Sequence, residues 1–290
     1  MIANSKTAQT VPVLMYHHVT PQGGSLSCSV KNFESQMRSL AQQGFTTLSG
    51  QQFADFMRGK PVSEKSVVLT FDDGYLNNFV YAHPILEKYN LHALMFIITG
   101  LMQEGEVRPT MASGHSLPAS PGHYECKEII QSGRAGEVML RWSEIREMQA
   151  CGTFEFHSHT NTHIRWDREE GGAKKNEQIR QDLQQSQDAL RQNLGEVSEH
   201  FCWPQGYFDD DYVKIAKELG FHYLYTTEAY GMNQPFGPGD HIYRIAARNR
   251  GAWWLQHRLW WAMHLRFGPM YNQYKLKKKR AREQKRLARA

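Results

Sequence analysis

The 290-residue sequence is poor in cysteine: it has four, Cys28, Cys126, Cys151 and Cys202, and no Cys-x-x-Cys pair. So sparse a set excludes a disulfide framework and a thiolate metal knuckle. Apolar runs of membrane-spanning length are also missing, which excludes a transmembrane helix. The opening residues Met1-Ile2-Ala3-Asn4-Ser5-Lys6 lack the apolar stretch of a signal peptide, so the expected location is a reducing cytoplasm. Strong charge is absent from most of the chain. The formal net charge is +5, but nine Lys or Arg against one acid between Lys275 and Arg289 give that stretch +8 and leave the remainder at −3. Basicity therefore belongs to a tail rather than to the body.

What is present is an alternation of apolar strands and amphipathic helices. Val11 to Tyr16 reads as a short strand that ends at His17 and His18. Ser29 caps a helix carrying Phe33, Met37 and Leu40 on one face, and Gln51 to Met57 forms a second. Ser66 to Phe71 is an apolar, β-branched run and reads as a buried strand, with Asp72-Asp73-Gly74 at its C-terminal edge. A helix with Pro84 at a kink or near its start and a strand over Ala93 to Ile98 complete a strand-helix-strand unit, hence a parallel sheet. Periodicity is lost from Leu101 to Val138, a length expected of a functional cover or of partial disorder. It returns with helices at Trp142 to Ala150, Lys174 to Leu194 and Tyr212 to Leu219, and strands at Thr153 to His157, His200 to Trp203, His222 to Thr226 and Ile242 to Ala246. This order predicts an α/β barrel or an open α/β sheet.

The chemistry gathers at two places. Adjacent aspartates at a strand's carboxyl edge repel one another if both are ionised, so Asp72 and Asp73 require a cation or a shared proton. His159-Thr160-Asn161-Thr162-His163 supplies two imidazoles that reach one point if the chain turns helically after its strand. One carboxylate with two imidazoles is the donor set of a divalent ion with open positions, Zn²⁺ first, with Ni²⁺, Co²⁺ or Mn²⁺ as alternatives. The motif holds no acid between its histidines, so a general base must come from elsewhere, and the neighbouring aspartate is available.

Thr70-Phe71-Asp72-Asp73-Gly74 followed by His159-Thr160-Asn161-Thr162-His163 resembles the polysaccharide deacetylase pattern, the NodB-homology group of carbohydrate esterase family 4. The opening Val11-Pro12-Val13-Leu14-Met15-Tyr16-His17 is similar to the branch that de-N-acetylates poly-N-acetylglucosamine, and the resemblance covers roughly residues 11 to 246. It implies a distorted (β/α) barrel, a divalent metal and removal of acetyl from N-acetylated sugars. By it Asp72 matches the general base, Asp73, His159 and His163 the metal ligands, and His17 the general acid. Cys202-Trp203-Pro204-Gln205-Gly206 departs from the family's Arg-x-Pro-x-Gly, so the arginine that steadies the base is missing there and the base must be oriented otherwise. Trp203, Gln205 and Tyr207 are the candidate sugar contacts. His157 is read as structural or as supporting a metal ligand, and His18 as pointing away from His17.

The expected organisation is a catalytic domain over 1–248 and an aromatic, basic tail over 249–290. Trp253, Trp254, Trp260, Trp261 and Phe267 interleaved with His257, Arg258, His264 and Arg266 resemble a helix lying on an anionic membrane surface; the competing reading packs the tryptophans on the body and leaves the cations solvated. Nucleic acid is not the expected partner. The functional expectation is a metal-dependent N-deacetylase at the inner face of the membrane, acting on an N-acetylated glycan or a lipid-linked precursor of an envelope glycan. Two alternatives stand beside it: an amidohydrolase using His157-Ser158-His159 as its ligand pair, and a non-catalytic module on a degenerate deacetylase body.

Overall fold

The structure, a computed structural model, describes residues 6–287. Ten strands run in chain order as β1 (Val13–Tyr16), β2 (His18–Thr20), β3 (Ser27–Ser29), β4 (Thr46–Thr47), β5 (Ser66–Asp73), β6 (Ala93–Ile97), β7 (Phe154–Ser158), β8 (His200–Cys202), β9 (Tyr223–Tyr225) and β10 (Ile245–Ala246). The α-helices are α1 (Val30–Gln42), α2 (Gly50–Met57), α3 (His83–Lys88), α4 (His123–Gln131), α5 (Trp142–Ala150), α6 (Trp166–Glu169), α7 (Gly172–Leu194), α8 (Asp210–Glu218), α9 (Ala252–Met263) and α10 (Phe267–Leu287). The principal sheet is parallel in the order β10-β1-β5-β6-β7-β8-β9, and β4 adds to β5. A bridge between Tyr225 and Ile242 joins the last strand to the segment leading into β10, so the sheet curls into the expected distorted (β/α) barrel.

Period-two alternation explains how β5 positions its acids. Val67, Leu69 and Phe71 face the helices outside, in a core shared with Phe33, Met37 and Leu40 of α1 and Ile145 and Met148 of α5. Val68 faces the other way, into the barrel, with Val13, Phe96, Cys202 and Tyr225. Thr70 and Asp72 share that parity and also point inward, while Asp73 closes the strand at φ +76° on its C-terminal rim. Pro84 stands in the first turn of α3, where its missing N–H is harmless, and a π-helical turn over Asn78–Ala82 precedes it.

The segment from Leu101 to Val138 is not a structureless loop. It carries α4, and its ends are fastened to the barrel. Leu76 N donates to Val138 O, Leu140 N donates to Gly74 O, and Gln103 pairs with Arg141. Buried Glu144 accepts from Arg108 Nε at 2.7 Å and from Nη2 at 2.7 Å, and Arg108 also donates to Gly136 O and Met139 O.

The division at 248/249 does not match the packing. Leu255 and Leu259 of α9 are fully buried in the main core, with Trp254, Ala262 and Met263 packed against it, and Gln36 of α1 donates to Arg248 O and Arg250 O. Helix α9 is thus part of the body. Beyond this packed face Trp253 is 79% and Trp260 50% exposed, and Leu265, Phe267, Met270 and Tyr274 are exposed beside them. The tryptophans divide, then: Trp254 packs and Trp253 and Trp260 do not. Lys275 and Lys278 lie over the rings of Tyr271 and Tyr274. No helix among the described residues is long and apolar enough to cross a membrane, and Arg289 of the basic run lies outside them.

Candidate active site

A cleft of about 450 Å³ opens at the C-terminal ends of the strands, where parallel α/β architectures place their sites. His17, Asp72, Asp73, His159, His163 and Trp203 all line it. These residues, separated by up to 186 positions in sequence, therefore meet at one cleft.

His159 Nε2 lies 3.5 Å and His163 Nε2 3.6 Å from Asp73 Oδ1. Three ligands about 2.1 Å from a tetrahedral ion stand about 3.4 Å apart, so this trio suits one divalent cation. The turn after β7 is not helical, as the spacing suggested; Thr160 and His163 adopt left-handed backbones at φ +65° and +61°. Asp182 of α7 holds that turn, accepting from Asn161 N, Thr162 N, Thr162 Oγ1 and Trp166 Nε1. His159 Nδ1 donates to Cys202 O at 2.8 Å and Nε2 faces Asp73; burial lowers the ring's pKa, but Cys202 and the hydrogen bond to Asp73 raise it, and Nε2 is the nitrogen that would ligate an ion. Burial pushes the His163 imidazole down to about 4, against the pull of Asp73, so at neutral pH it is an uncharged ligand. Burial opposes ionisation of Asp73, but the hydrogen bond and charge of the surrounding histidines outweigh it and hold the carboxyl below the usual range.

A second trio, Asp72, His159 and Cys202, has comparable spacing. Its chemistry argues against a metal there: burial pushes the Cys202 thiol up, and Asp72 is already paired. The partner is Arg244, whose Nη1 donates to Asp72 Oδ1 at 2.6 Å and Nη2 to Oδ2 at 2.8 Å. Its remaining donors reach Thr226 O, Thr70 Oγ1 and Cys202 Sγ. Burial disfavours the Asp72 carboxylate, yet Arg244 and His17 reverse that and lower its pKa. The arginine absent from position 202 is thus supplied to Asp72 from the closing edge of the barrel. Sequence reasoning missed it, although an arginine within the apolar run Ile242 to Ala246 needed a buried partner. Asp182 was missed in the same way, as an acid on the face of α7 that also carries Ile179, Leu183 and Leu190.

His17 Nε2 stands 3.8 Å from Asp72 Oδ2, on the open side of the carboxylate. Trp203 is buried against Phe201 and Phe208, and its Nε1 has no hydrogen-bond partner among the described residues. Gln205 sits at φ +54° on the rim. Tyr207 is a correction: it does not line the cleft, because the left-handed turn at Gln205 and Gly206 carries it under the Arg165 guanidinium, 4.0 Å from its ring, and edge-on to Tyr212. His18 points away from the carboxylates and stacks on Tyr75 at 3.8 Å. His157 also lies outside the cleft, bonded to Ser198 Oγ and 3.3 Å from Glu155.

Residues 59–224 match the model of the family described as polysaccharide deacetylase. YxkH of Bacillus subtilis (strain 168) is 27% identical over 219 residues, 75% of this chain and 64% of that protein. A Staphylococcus aureus (strain MSSA476) poly-beta-1,6-N-acetyl-D-glucosamine N-deacetylase is 26% identical over 205 residues, 70% of this chain and 61% of that protein. The chain thus spans less than two thirds of the length of these curated relatives. Among solved structures, a de-N-acetylase from Aggregatibacter actinomycetemcomitans superposes with a TM-score of 0.68 at 22% identity, covering 86% of this chain and 99% of that one. IcaB from Ammonifex degensii gives 0.67 at 24% identity over 87% and 97%. At those identities the likeness establishes the fold.

Proposed function

The chain belongs to the polysaccharide deacetylase family, and from that premise we propose that it hydrolyses the acetamide of an N-acetylhexosamine in a glycan or lipid-linked glycan precursor of the cell envelope. The observation that carries this reading is the Asp72–Arg244 pair, buried and bidentate, set between His17 and the trio Asp73, His159 and His163. A lone metal cluster would fit many hydrolases; a second, separately ionised carboxylate beside it gives the site its base.

Asp73, His159 and His163 would hold one divalent ion, Zn²⁺ first. When bound, the ion supplies a Lewis acid that polarises the acetyl carbonyl and acidifies water. Asp72 takes the proton of the attacking water, and Arg244 keeps that carboxylate ionised and oriented. His17 gives a proton to the nitrogen as the carbon–nitrogen bond breaks, so the sugar leaves as an amine and acetate remains. Trp203 and Gln205 line the cleft where the sugar ring would lie. The alternative ligand pair, His157 with His159, lacks support because His157 is engaged by Ser198 and Glu155 away from the cleft. Exposed Trp253, Trp260, Phe267 and Met270 beside the basic α10 support work at an anionic membrane surface, and hence a lipid-linked substrate at the cytoplasmic face.

The test is acetate release from N-acetylhexosamine oligomers and lipid-linked extracts by metal-reconstituted protein. Asp72→Asn is expected to retain metal and lose about 10²–10⁴-fold in turnover, while Asp73→Asn loses metal. Full activity of Asp72→Asn would remove the proposed base, and no acetate from metal-loaded wild type would remove the reaction.

A further inference from the structure

Helix α4, within the insertion, faces the cleft with His123, Lys127, Ile130 and Gln131. Steps of four, three and one residue place these side chains on one side of a helix. The helix is seated by Cys126, which is buried in the core, and by Ile129 and Ile130 packed against it. The exposed face is thus a fixed wall rather than a loose surface.

Two donors on that wall have no acceptor among the described residues. Lys127 makes no ion pair among the described residues, whereas Lys88, Lys174, Lys175 and Lys217 are all paired with carboxylates. The second donor follows from a hydrogen-bond chain. Asn77 Nδ2 donates to His18 Nδ1 at 2.9 Å, so the proton of His18 sits on Nε2, which lies 3.1 Å from His123 Nδ1. His123 accepts there and carries its own proton on Nε2, free to donate. Burial pushes His18 down to about 3 and lowers His123 as well, so both rings are neutral at pH 7 and the tautomers hold. Among the described residues the carboxylates lining the cleft are Asp72, neutralised by Arg244, and Asp73, set among its histidines. Nothing on the lining balances Lys127.

We propose that the His123–Lys127–Gln131 row of α4 binds an anionic oxyacid group, a phosphate or a carboxylate, carried by the N-acetylhexosamine or by the unit joined to it. This rests on the deacetylase reading and narrows its substrate to an acidic sugar. The same charge disfavours a polymer that already carries free amines, since each deacetylated neighbour would bring an ammonium toward Lys127. A substrate deacetylated once, before polymer assembly, fits the wall better than a chain deacetylated along its length.

The experiment compares kcat/KM of the holoenzyme for N-acetylglucosamine 1-phosphate, a glucuronic acid–N-acetylglucosamine disaccharide and neutral N-acetylglucosamine disaccharide. A preference of about tenfold or more for an acidic substrate, residing in KM, is expected. Preference for the phosphate alone identifies a phosphate-linked precursor, and preference for the uronic acid alone identifies an acidic glycan. Lys127→Glu should abolish or invert the ratio, and Lys127→Arg should retain it; the exposed position leaves folding unaffected. Equal or better turnover of the neutral sugar, or a ratio indifferent to Lys127→Glu, overturns the proposal. Ligand-observed NMR titrations of the same three sugars separate the two readings. Tighter binding of an acidic sugar, lost in Lys127→Glu, upholds the row even if no acetate is released, and equal binding overturns it even if acetate is released.

Discussion

Asp72 is buried among groups that offer its charge one full partner, and that partner is 172 residues away in sequence. Replacing Arg244 with methionine leaves a buried carboxylate with His17, His159 and the Cys202 thiol as its remaining neighbours. We expect about 3–5 kcal/mol of lost stability and a turnover reduced by about 10²-fold or more. The sign of the pH effect follows from the causes acting on Asp72. Burial raises its pKa and Arg244 lowers it, so the variant's acidic limb of kcat/KM moves to higher pH. An unmoved limb would show that Arg244 does not act through the base. Cys202 Sγ lies 3.0 Å from Arg244 Nη2; the double change Cys202→Arg, Arg244→Ala should recover part of the activity by offering a guanidinium from β8. The acids and histidines that meet in the cleft were legible as candidates because each motif is local in sequence and its chemistry is explicit. Arg244 was not, since a single arginine in a short apolar strand reveals its partner only after the barrel has closed.

At the scale of elements, α9 and α10 share a pattern of aromatics and cations but meet different surroundings. Helix α9 spends Leu255 and Leu259 on the core, where truncation of each to alanine costs about 2–5 kcal/mol. Removing residues from 249 onward would therefore confuse unfolding with loss of a membrane contact. A protein ended at His264 keeps the packed helix and is expected to stay folded while losing most of its binding to vesicles containing anionic lipid. Trp253→Ser with Trp260→Ser in the full chain should weaken the same binding, read by cosedimentation against zwitterionic vesicles at matched salt. Partitioning indifferent to both changes would leave the aromatic face without its lipid partner. The sequence displayed the aromatic and basic composition of these helices, but α9 is apolar on nearly every side, so composition did not reveal which face the body would claim. The insertion was opaque for a related reason: its fastening through Arg108 and Glu144 depends on contacts 36 residues apart.

The whole molecule carries buried neutral histidines at both ends of its barrel. His18 near the cleft and His200 at the start of β8 are both pushed down to about 3, chiefly by burial. Because the unfolded chain protonates them near pH 6.5, it binds more protons than the native state between about pH 6.5 and 3, and stability falls as pH falls through that window. Moving from pH 7 to 5 should cost about 2 kcal/mol for each. His200→Gln removes one contribution, so urea unfolding should show a shallower acid slope than wild type; an identical slope would mean His200 is not buried as a neutral ring. Glu155, lowered by His157 and His92 against its burial, adds stability present above the ordinary carboxylate range and lost only at lower pH. Strand-helix alternation made the parallel sheet readable in advance, whereas closure through the single Tyr225–Ile242 bridge is a long-range event that no local pattern announces. The insertion leaves the barrel after β6 and rejoins it at β-bridges beside Gly74 and Gln103, so its two ends are set by the scaffold, and between them Cys126 seats α4 on the core. It is in effect a cassette: the wall facing the carboxylates and imidazoles hangs from two fastenings, so substitutions on α4 should change which sugar binds and leave the cluster opposite in place.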